Sequence, residues 1–428
     1  MKVLFFHQNF PGQFLHLAPA LARAGHDVYA LSSRLDESRV WKGVQILSYR
    51  WEEPSDQRHH PWLTTLNRAT HRGETCLRAA MSLKKRGVEP DVVIAHSGWG
   101  EALFLREVWP DARFGIFSEL YYQSEGADIG FDPEFPGRDA LADGGRLMLR
   151  NLSGRLQLEQ ADAGITPTQW QADSHPPELR RKISVIHEGI NTQAVTPDPD
   201  AVFEVDGAPR LTAGDEVISF INRNLEPYRG FHVFMRNLPE LLARRPKARV
   251  VLIGGEGVSY GSAPKEGGSW KDVMLAEMGH RLTEADWARV HFVGKVPYDS
   301  FVALMQIATA HVYLTYPFVL SWSLLEAMSA GAPIVASDTA PVREVLRDRH
   351  SALLVDFFDG AGLVDRVDEV CSDPALRARL GAAARKHVVE NYDLETVCLP
   401  RQFGWFEALA AGKPFTGWSP ESEAAAHG

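Results

Sequence analysis

Val217-Ile218-Ser219-Phe220-Ile221-Asn222-Arg223-Asn224-Leu225-Glu226-Pro227-Tyr228-Arg229-Gly230 runs from an apolar, partly β-branched pentapeptide through a polar connection to a glycine that opens the helical pattern of 230–244. A short apolar strand feeding a helix is the repeating unit of a parallel sheet, because parallel neighbours need a crossover. The pattern recurs downstream, with strand candidates at 217–221, 249–253, 290–293, 310–314, 333–336 and 352–355 and helices such as 230–244 and 298–307. It also runs upstream, with strand candidates at 2–6, 27–31, 44–49, 91–95, 113–117, 163–167 and 183–186 and a helix at 12–24 that stops at Gly25. Between the two series, 191–215 is rich in Asp, Pro and Gly and lacks apolar periodicity.

The alternation predicts an α/β protein of two Rossmann-like domains. Their boundaries read as 1–195 for the first domain, 196–215 for a linker and 216–395 for the second. Residues 396–415 read as a C-terminal helix packing back on the N-terminal domain, and 416–428 as a polar tail. Two open parallel sheets offer two crevices at their carboxyl ends, so the domains are expected to face each other across a cleft, one holding the ligand that the other attacks.

The bulk composition agrees. A chain of 428 residues, 45% hydrophobic and 23% charged, is long enough for two cored domains. A net charge of −10 speaks against a nucleic-acid partner, which demands a basic face. Cys76, Cys371 and Cys398 are widely spaced and in no metal-ligand pattern, which fits a reducing compartment. The apolar start 1–6 meets His7-Gln8-Asn9 too soon for a signal-peptide core, and no run approaches a membrane span, so a cytoplasmic protein is expected. Arg68, Arg72, Arg78, Lys84, Lys85 and Arg86 accumulate over 68–86; a solvated helix face is the first reading and peripheral contact with the inner membrane face the second.

Chemistry concentrates on two connections of the second series. Arg223 and Arg229 lie where the crevice of such a sheet opens, and guanidinium forks suit phosphate oxygens. After the strand near 311–314, Ser321 or Ser323 is placed to cap a helix, leaving backbone N–H groups around Trp322 and the positive dipole end free for an anion. Glu326 falls in the first turns of that helix, where a carboxylate accepts from sugar hydroxyls.

These connections, with the segment Leu325-Glu326-Ala327-Met328-Ser329-Ala330-Gly331-Ala332-Pro333-Ile334-Val335-Ala336-Ser337-Asp338, resemble the donor domain of family 4 retaining glycosyltransferases of the glycosyltransferase-B (GT-B) fold. The resemblance implies that Arg223 and Arg229 bind the diphosphate of a UDP- or GDP-type nucleotide sugar, that the main chain around Ser321 and Trp322 assists, and that Glu326 holds the ribose. The family places a further glutamate eight residues before this one, and here that position is Phe318. In the first half, His7-Gln8-Asn9-Phe10-Pro11-Gly12-Gln13-Phe14, His96-Ser97-Gly98-Trp99-Gly100-Glu101 and Ser118-Glu119-Leu120-Tyr121-Tyr122 resemble a subgroup of the same family. That makes Gly12 a loop glycine at the donor and Glu119 and His96 the catalytic candidates with Arg223 and Arg229. His7, Trp99 and Tyr121 become acceptor-side candidates, although a hydrogen-bonded structural histidine and packing aromatics account for the same residues.

The expectation is therefore a retaining enzyme that moves a sugar from a nucleotide-diphosphate sugar to an acceptor hydroxyl, the acceptor being a glycan, a lipid-linked sugar, a small molecule or a protein. No metal or other cofactor is expected, because two arginines and a helix end already carry the charge of the leaving diphosphate. The rival readings are a nucleotide-sugar hydrolase or epimerase of the same fold, and a non-catalytic nucleotide-sugar-binding protein. A nicotinamide oxidoreductase is disfavoured because Gly255-Glu256-Gly257-Val258-Ser259-Tyr260 lacks the third glycine of the dinucleotide fingerprint.

Overall fold

A computed structural model describes residues 1–35, 37–54, 58–135 and 140–417. The chain divides into two compact units, Met1–Gly189 with Leu394–Gly428, and Ile190–Asp393. Of the tail expected at 416–428, residues 418–428 lie outside the described residues.

The first unit is built on an eight-stranded sheet: β1 (Lys2–Phe6), β2 (Asp27–Ser32), β3 (Arg39–Trp41), β4 (Val44–Ser48), β5 (Val92–His96), β6 (Arg113–Phe117), β7 (Ala163–Thr166) and β8 (Ile183–Val185). The order is β3-β4-β2-β1-β5-β6-β7-β8, parallel throughout except for the edge strand β3. Val3, Leu4, Phe5 and Phe6 are all 0% exposed, as a central parallel strand covered on both faces requires. Strand order reverses between β1 and β5, so the connections after these two strands, carrying His7–Gln13 and His96–Glu101, flank the crevice where α/β sheets take ligands.

The C-terminal helix Leu399–Ala410 belongs to this unit, with Trp405, Phe406 and Leu409 buried in the same core as Phe5, Phe14 and Ile94. Gly115 on β6 makes room for it: a Cβ there would come within 2.6 Å of the Trp405 ring.

The second unit holds β9 (Val202–Phe203) and β10 (Leu211–Thr212), a small antiparallel pair, and a six-stranded parallel sheet. Its strands are β11 (Val217–Asn224), β12 (Arg249–Gly255), β13 (Val290–Gly294), β14 (Ala310–Tyr313), β15 (Ile334–Ser337) and β16 (Leu353–Val355), in the order β13-β12-β11-β14-β15-β16. The reversal falls between β11 and β14, the two strands whose connections carry the candidate donor residues. Residues 196–215, read from the sequence as a linker, lie inside this unit. Val195, Ala201, Phe203 and Leu211 are too sparse to show periodicity, yet all four enter its core.

One local expectation changes and another keeps its first reading. β11 extends to Asn224, so Arg223 sits on the strand end rather than in the loop. The basic stretch 68–86 lies on the helix Thr64–Lys85 and its C-cap Arg86; Arg72 is buried over the Trp51 ring, Arg68 and Arg78 pair with Glu53 and Glu74, and Lys84 donates to the Val108 carbonyl. Four of the six basic residues are thus engaged within the unit, in line with the reading of a solvated helix face.

Candidate active site

In the second unit, the turn Pro227–Arg229 closes on Gly230 (φ +67°), where any Cβ would collide with Leu314 of the facing connection. The sequence reading treated the two arginines alike; the fold separates them. Arg223 is exposed, whereas Arg229 is only 3% exposed. Arg229 Nη1 donates to Thr315 Oγ1 at 2.7 Å and to the Tyr313 hydroxyl at 3.3 Å, and Nη2 donates to the Val319 carbonyl at 3.0 Å. Burial works against its charge, yet Tyr313, Tyr260 and Glu226 hold it more firmly protonated than a free arginine. Among the described residues no carboxylate lies within ion-pair distance of it. A buried cation whose direct hydrogen-bond acceptors are all neutral attracts an anion.

The Tyr313 hydroxyl also accepts from the backbone N–H of Ser321 at 3.0 Å. Ser321 caps the helix Trp322–Ser329, its side chain accepting from Ser323 N–H at 3.3 Å. One phenolic oxygen thus ties the buried guanidinium to a helix N-terminus, two positive ends side by side. Trp322 is 38% exposed and Ser323 is buried. The connection is fixed from below by Ser337, whose hydroxyl accepts from Thr315 N–H and donates to the Thr315 carbonyl.

Glu326 is half-buried four residues into this helix, and burial raises its pKa while the Tyr298 hydroxyl, donating at 2.7 Å, works the other way. Phe318, at the position where the family has glutamate, is buried against Tyr228 and Tyr260 with the Arg229 guanidinium 5.8 Å from its ring centre. Glu226, fully buried, accepts from the backbone N–H groups of Ser259, Tyr260 and Gly261, which clips the connection after β12 against Arg229. Sequence reasoning missed Tyr298, Tyr313, Thr315, Tyr260 and Glu226. A proline before Tyr298 and the Glu226-Pro227 pair signal turns, but nothing in the sequence says which side chains those turns bring together. It also passed over Asp198-Pro199-Asp200, which has the spacing of a metal motif; the three residues are exposed, and Asp198 Oδ1 accepts from Asp200 N–H.

In the first unit, the candidates join one network. His7 Nδ1 accepts from Asn9 N–H at 3.0 Å, which leaves the proton on Nε2, and this donates to Gln13 Oε1 at 2.9 Å. Gln13 Nε2 in turn donates to Glu119 Oε1 at 3.2 Å. His96 Nδ1 accepts from Gly98 N–H, so its Nε2 bears the ring proton; it has no hydrogen-bond partner among the described residues and stands 3.9 Å from Glu119 Oε2. The His96 ring is stacked between Trp99 (4.5 Å) and Phe117 (5.2 Å). Desolvation takes His7 down to about 4 and His96 well below its ordinary range, so both are neutral near pH 7. Gly12 has φ +47°, and a Cβ there would come within 2.4 Å of the His7 ring, so the packing of the loop by itself already requires a glycine. Tyr121 lies apart from these groups, its N–H bonded to Ser174 Oγ and its ring 5.8 Å from that of His175.

Two Rossmann-like units, each with its polar groups at the carboxyl ends of a parallel sheet, define the GT-B architecture. A sequence model described as Glycosyl transferase family 4 group matches residues 24–195, and one described as Glycosyl transferases group 1 matches residues 205–387. The chain is 26% identical to the glycogen synthase of Mycobacterium tuberculosis strain H37Rv over 89% of its own length and 87% of the relative's. Its fold is similar to that of sucrose-phosphate synthase from Thermosynechococcus elongatus, with a TM-score of 0.69, 17% identity and coverage of 96% and 100%. It is also similar to Anabaena HepE solved with UDP-glucose, with a TM-score of 0.62, 15% identity and coverage of 95% and 99%. The chain belongs to the family 4 glycosyltransferases of GT-B fold and is an enzyme that transfers glycosyl groups. Among the described residues, no helix is long and apolar enough to cross a membrane.

Proposed function

We propose that the enzyme takes its sugar from a nucleoside-diphosphate sugar, transfers it to an acceptor hydroxyl with retention of anomeric configuration, and needs no divalent metal. The observation that carries this reading is the Tyr313 hydroxyl shared by Arg229 and the Ser321 N–H, which sets a buried, unpaired cation beside a helix N-terminus. Exposed Arg223 on the end of β11 clamps the diphosphate, while buried Arg229 adds its charge beside the helix end. Glu326 takes the ribose hydroxyls beside Tyr298. As the glycosidic bond breaks, negative charge grows on the leaving diphosphate, and preorganised donors that lower the energy of that charge lower the barrier.

UDP is the favoured nucleoside diphosphate, with GDP second, because the similar Anabaena protein is solved with UDP-glucose. The His7–Gln13–Glu119 chain and the unpartnered His96 N–H support an acceptor-side role for these groups, with Glu119 taking the acceptor proton. A cytoplasmic setting fits three buried free thiols.

Thermal stabilisation by UDP-, GDP-, dTDP- and ADP-glucose tests the donor, followed by transfer assays with and without EDTA and determination of the product's anomeric configuration by NMR. One nucleotide sugar should stabilise the enzyme and lose that effect in Arg223→Ala. Nucleotide release that ignores the acceptor would make the protein a hydrolase, and activity abolished by EDTA and restored by a divalent cation would end the metal-independent reading.

A further inference from the structure

We propose that a cavity in the first unit, beside Arg150, is an acceptor subsite for an anionic group, a phosphomonoester or a carboxylate carried by the acceptor. This rests on the glycosyl-transfer reading above and adds the charge of the molecule that receives the sugar. The cavity lies beyond β5 and β6 and is lined by Ser97, Ser118, Tyr121, Tyr122, Arg150 and Asn151, among others.

Arg150 is on the helix Ala140–Gln160, where its basic neighbours are neutralised: Arg146 pairs with Asp143 at 2.9 Å and Arg155 with Glu159 at 2.7 Å. Arg150 has no acid three or four residues to either side, those positions being Arg146, Leu147, Ser153 and Gly154. Among the described residues no carboxylate from any other element comes within ion-pair distance of it. A polar neighbour is the Tyr122 phenol, whose pKa burial raises while the Arg150 charge and hydrogen bond oppose the rise. The guanidinium lies over the Tyr122 ring, 3.5 Å from the centroid. Stacking occupies the flat face of a guanidinium and leaves in-plane N–H donors for a planar or tetrahedral anion.

The surroundings are held in place, so the cation is presented rather than merely exposed. The Asn151 amide pairs with the main chain of Tyr122, accepting from its N–H at 2.9 Å and donating to its carbonyl at 2.8 Å. Ser118 Oγ is bonded to His175 Nε2 at 2.8 Å, and Tyr121 N–H donates to Ser174 Oγ at 3.1 Å. Ser118, Tyr121 and Tyr122 on the cavity floor are thus each tied to a helix or to the Ser174-His175 turn. A fixed, half-buried, unpaired arginine in a polar recess has the chemistry of a charge-recognition subsite.

Isothermal titration of the full chain with glucose 6-phosphate, glucuronate and the neutral methyl glucoside tests this, with UDP-glucose titrated into the same samples. Wild type should bind at least one of the two anionic sugars about ten-fold or more tightly than methyl glucoside; which of the two wins assigns a phosphomonoester or a carboxylate. Arg150→Gln should abolish that preference while UDP-glucose binding stays unchanged, and Arg150→Lys should restore part of it. Equal binding of charged and neutral sugars by wild type, or a preference that survives Arg150→Gln, overturns the subsite. If UDP-glucose binding is intact in that case, only the subsite falls; absent UDP-glucose binding strikes the donor assignment instead.

Discussion

The Tyr298 hydroxyl donates to Glu326 Oε1 at 2.7 Å, joining the start of one helix to the second turn of another. The bond orients a carboxylate that burial has made less willing to ionise, and it leaves the second oxygen for a ligand. Removing the phenol in Tyr298→Phe should weaken nucleotide-sugar binding by about 1–2 kcal/mol, read as a roughly 5- to 30-fold rise in KM for the donor with kcat little changed. Glu326→Ala should cost more than Tyr298→Phe. Equal donor KM in Tyr298→Phe and wild type would show that the carboxylate is not positioned for the nucleotide.

Arg223 and Arg229 separate in a double measurement of activity and stability. Arg223→Ala should keep the melting temperature and lose about 2–4 kcal/mol of transition-state stabilisation, a roughly 30- to 1,000-fold fall in kcat/KM. Arg229→Ala should lose activity and stability together, because it strands the buried hydroxyls of Tyr313 and Thr315 and the Val319 carbonyl. A normally melting but inactive Arg229→Ala protein would reverse the two roles.

Gly12 offers a steric test. Gly12→Ala should destabilise the first unit both through its positive φ and through collision with the His7 ring. In a His7→Ala background only the backbone cost, about 1–2 kcal/mol, should remain. If the substitution costs the same in both backgrounds by chemical denaturation, the glycine does not serve the histidine.

Glu101 gives a pH dependence with a defined sign. It is fully buried, accepts from Gln8 N–H at 2.9 Å, and desolvation raises its pKa from 4.5 to about 7, with Arg72 opposing. A carboxyl whose folded value is raised favours the folded state fully below about 4.5, and that contribution is lost as pH climbs through about 7. The melting temperature of wild type relative to Glu101→Gln should therefore fall between these values. His7 and His96, pushed the other way, are common to both proteins and cancel in the difference. A flat difference across that range would place the ionised form in the native protein.

Both parallel sheets were legible in the sequence, because a buried parallel strand is a run of apolar residues such as Val3-Leu4-Phe5-Phe6 or Val217-Ile218-Ser219-Phe220-Ile221, and the crossover helix repeats its own period. That Arg223, Arg229, Ser321 and Glu326 gather around the ends of two strands followed from that, since each is close in sequence to a strand end. The return of 399–410 to the first unit is decided by Gly115, which leaves the groove that Trp405 fills, and no local pattern in the helix names its partner. The same holds for the core contribution of Phe203 and Leu211, which sit in a segment with too few apolar residues to show a period.

The sequence by itself determined two Rossmann-like units and the residues that stand at the ends of their strands, because backbone periodicity and strand-to-helix spacing are local properties. Only the tertiary structure decided that Arg229 is buried and unpaired while Arg223 is open, that Phe318 joins an aromatic cluster, and that Arg150 alone among its helix neighbours lacks an acid. Those outcomes depend on which groups distant in the chain, Tyr313, Tyr260, Tyr122 and Asn151, arrive at the same place, and burial and electrostatic pairing exist only once they do.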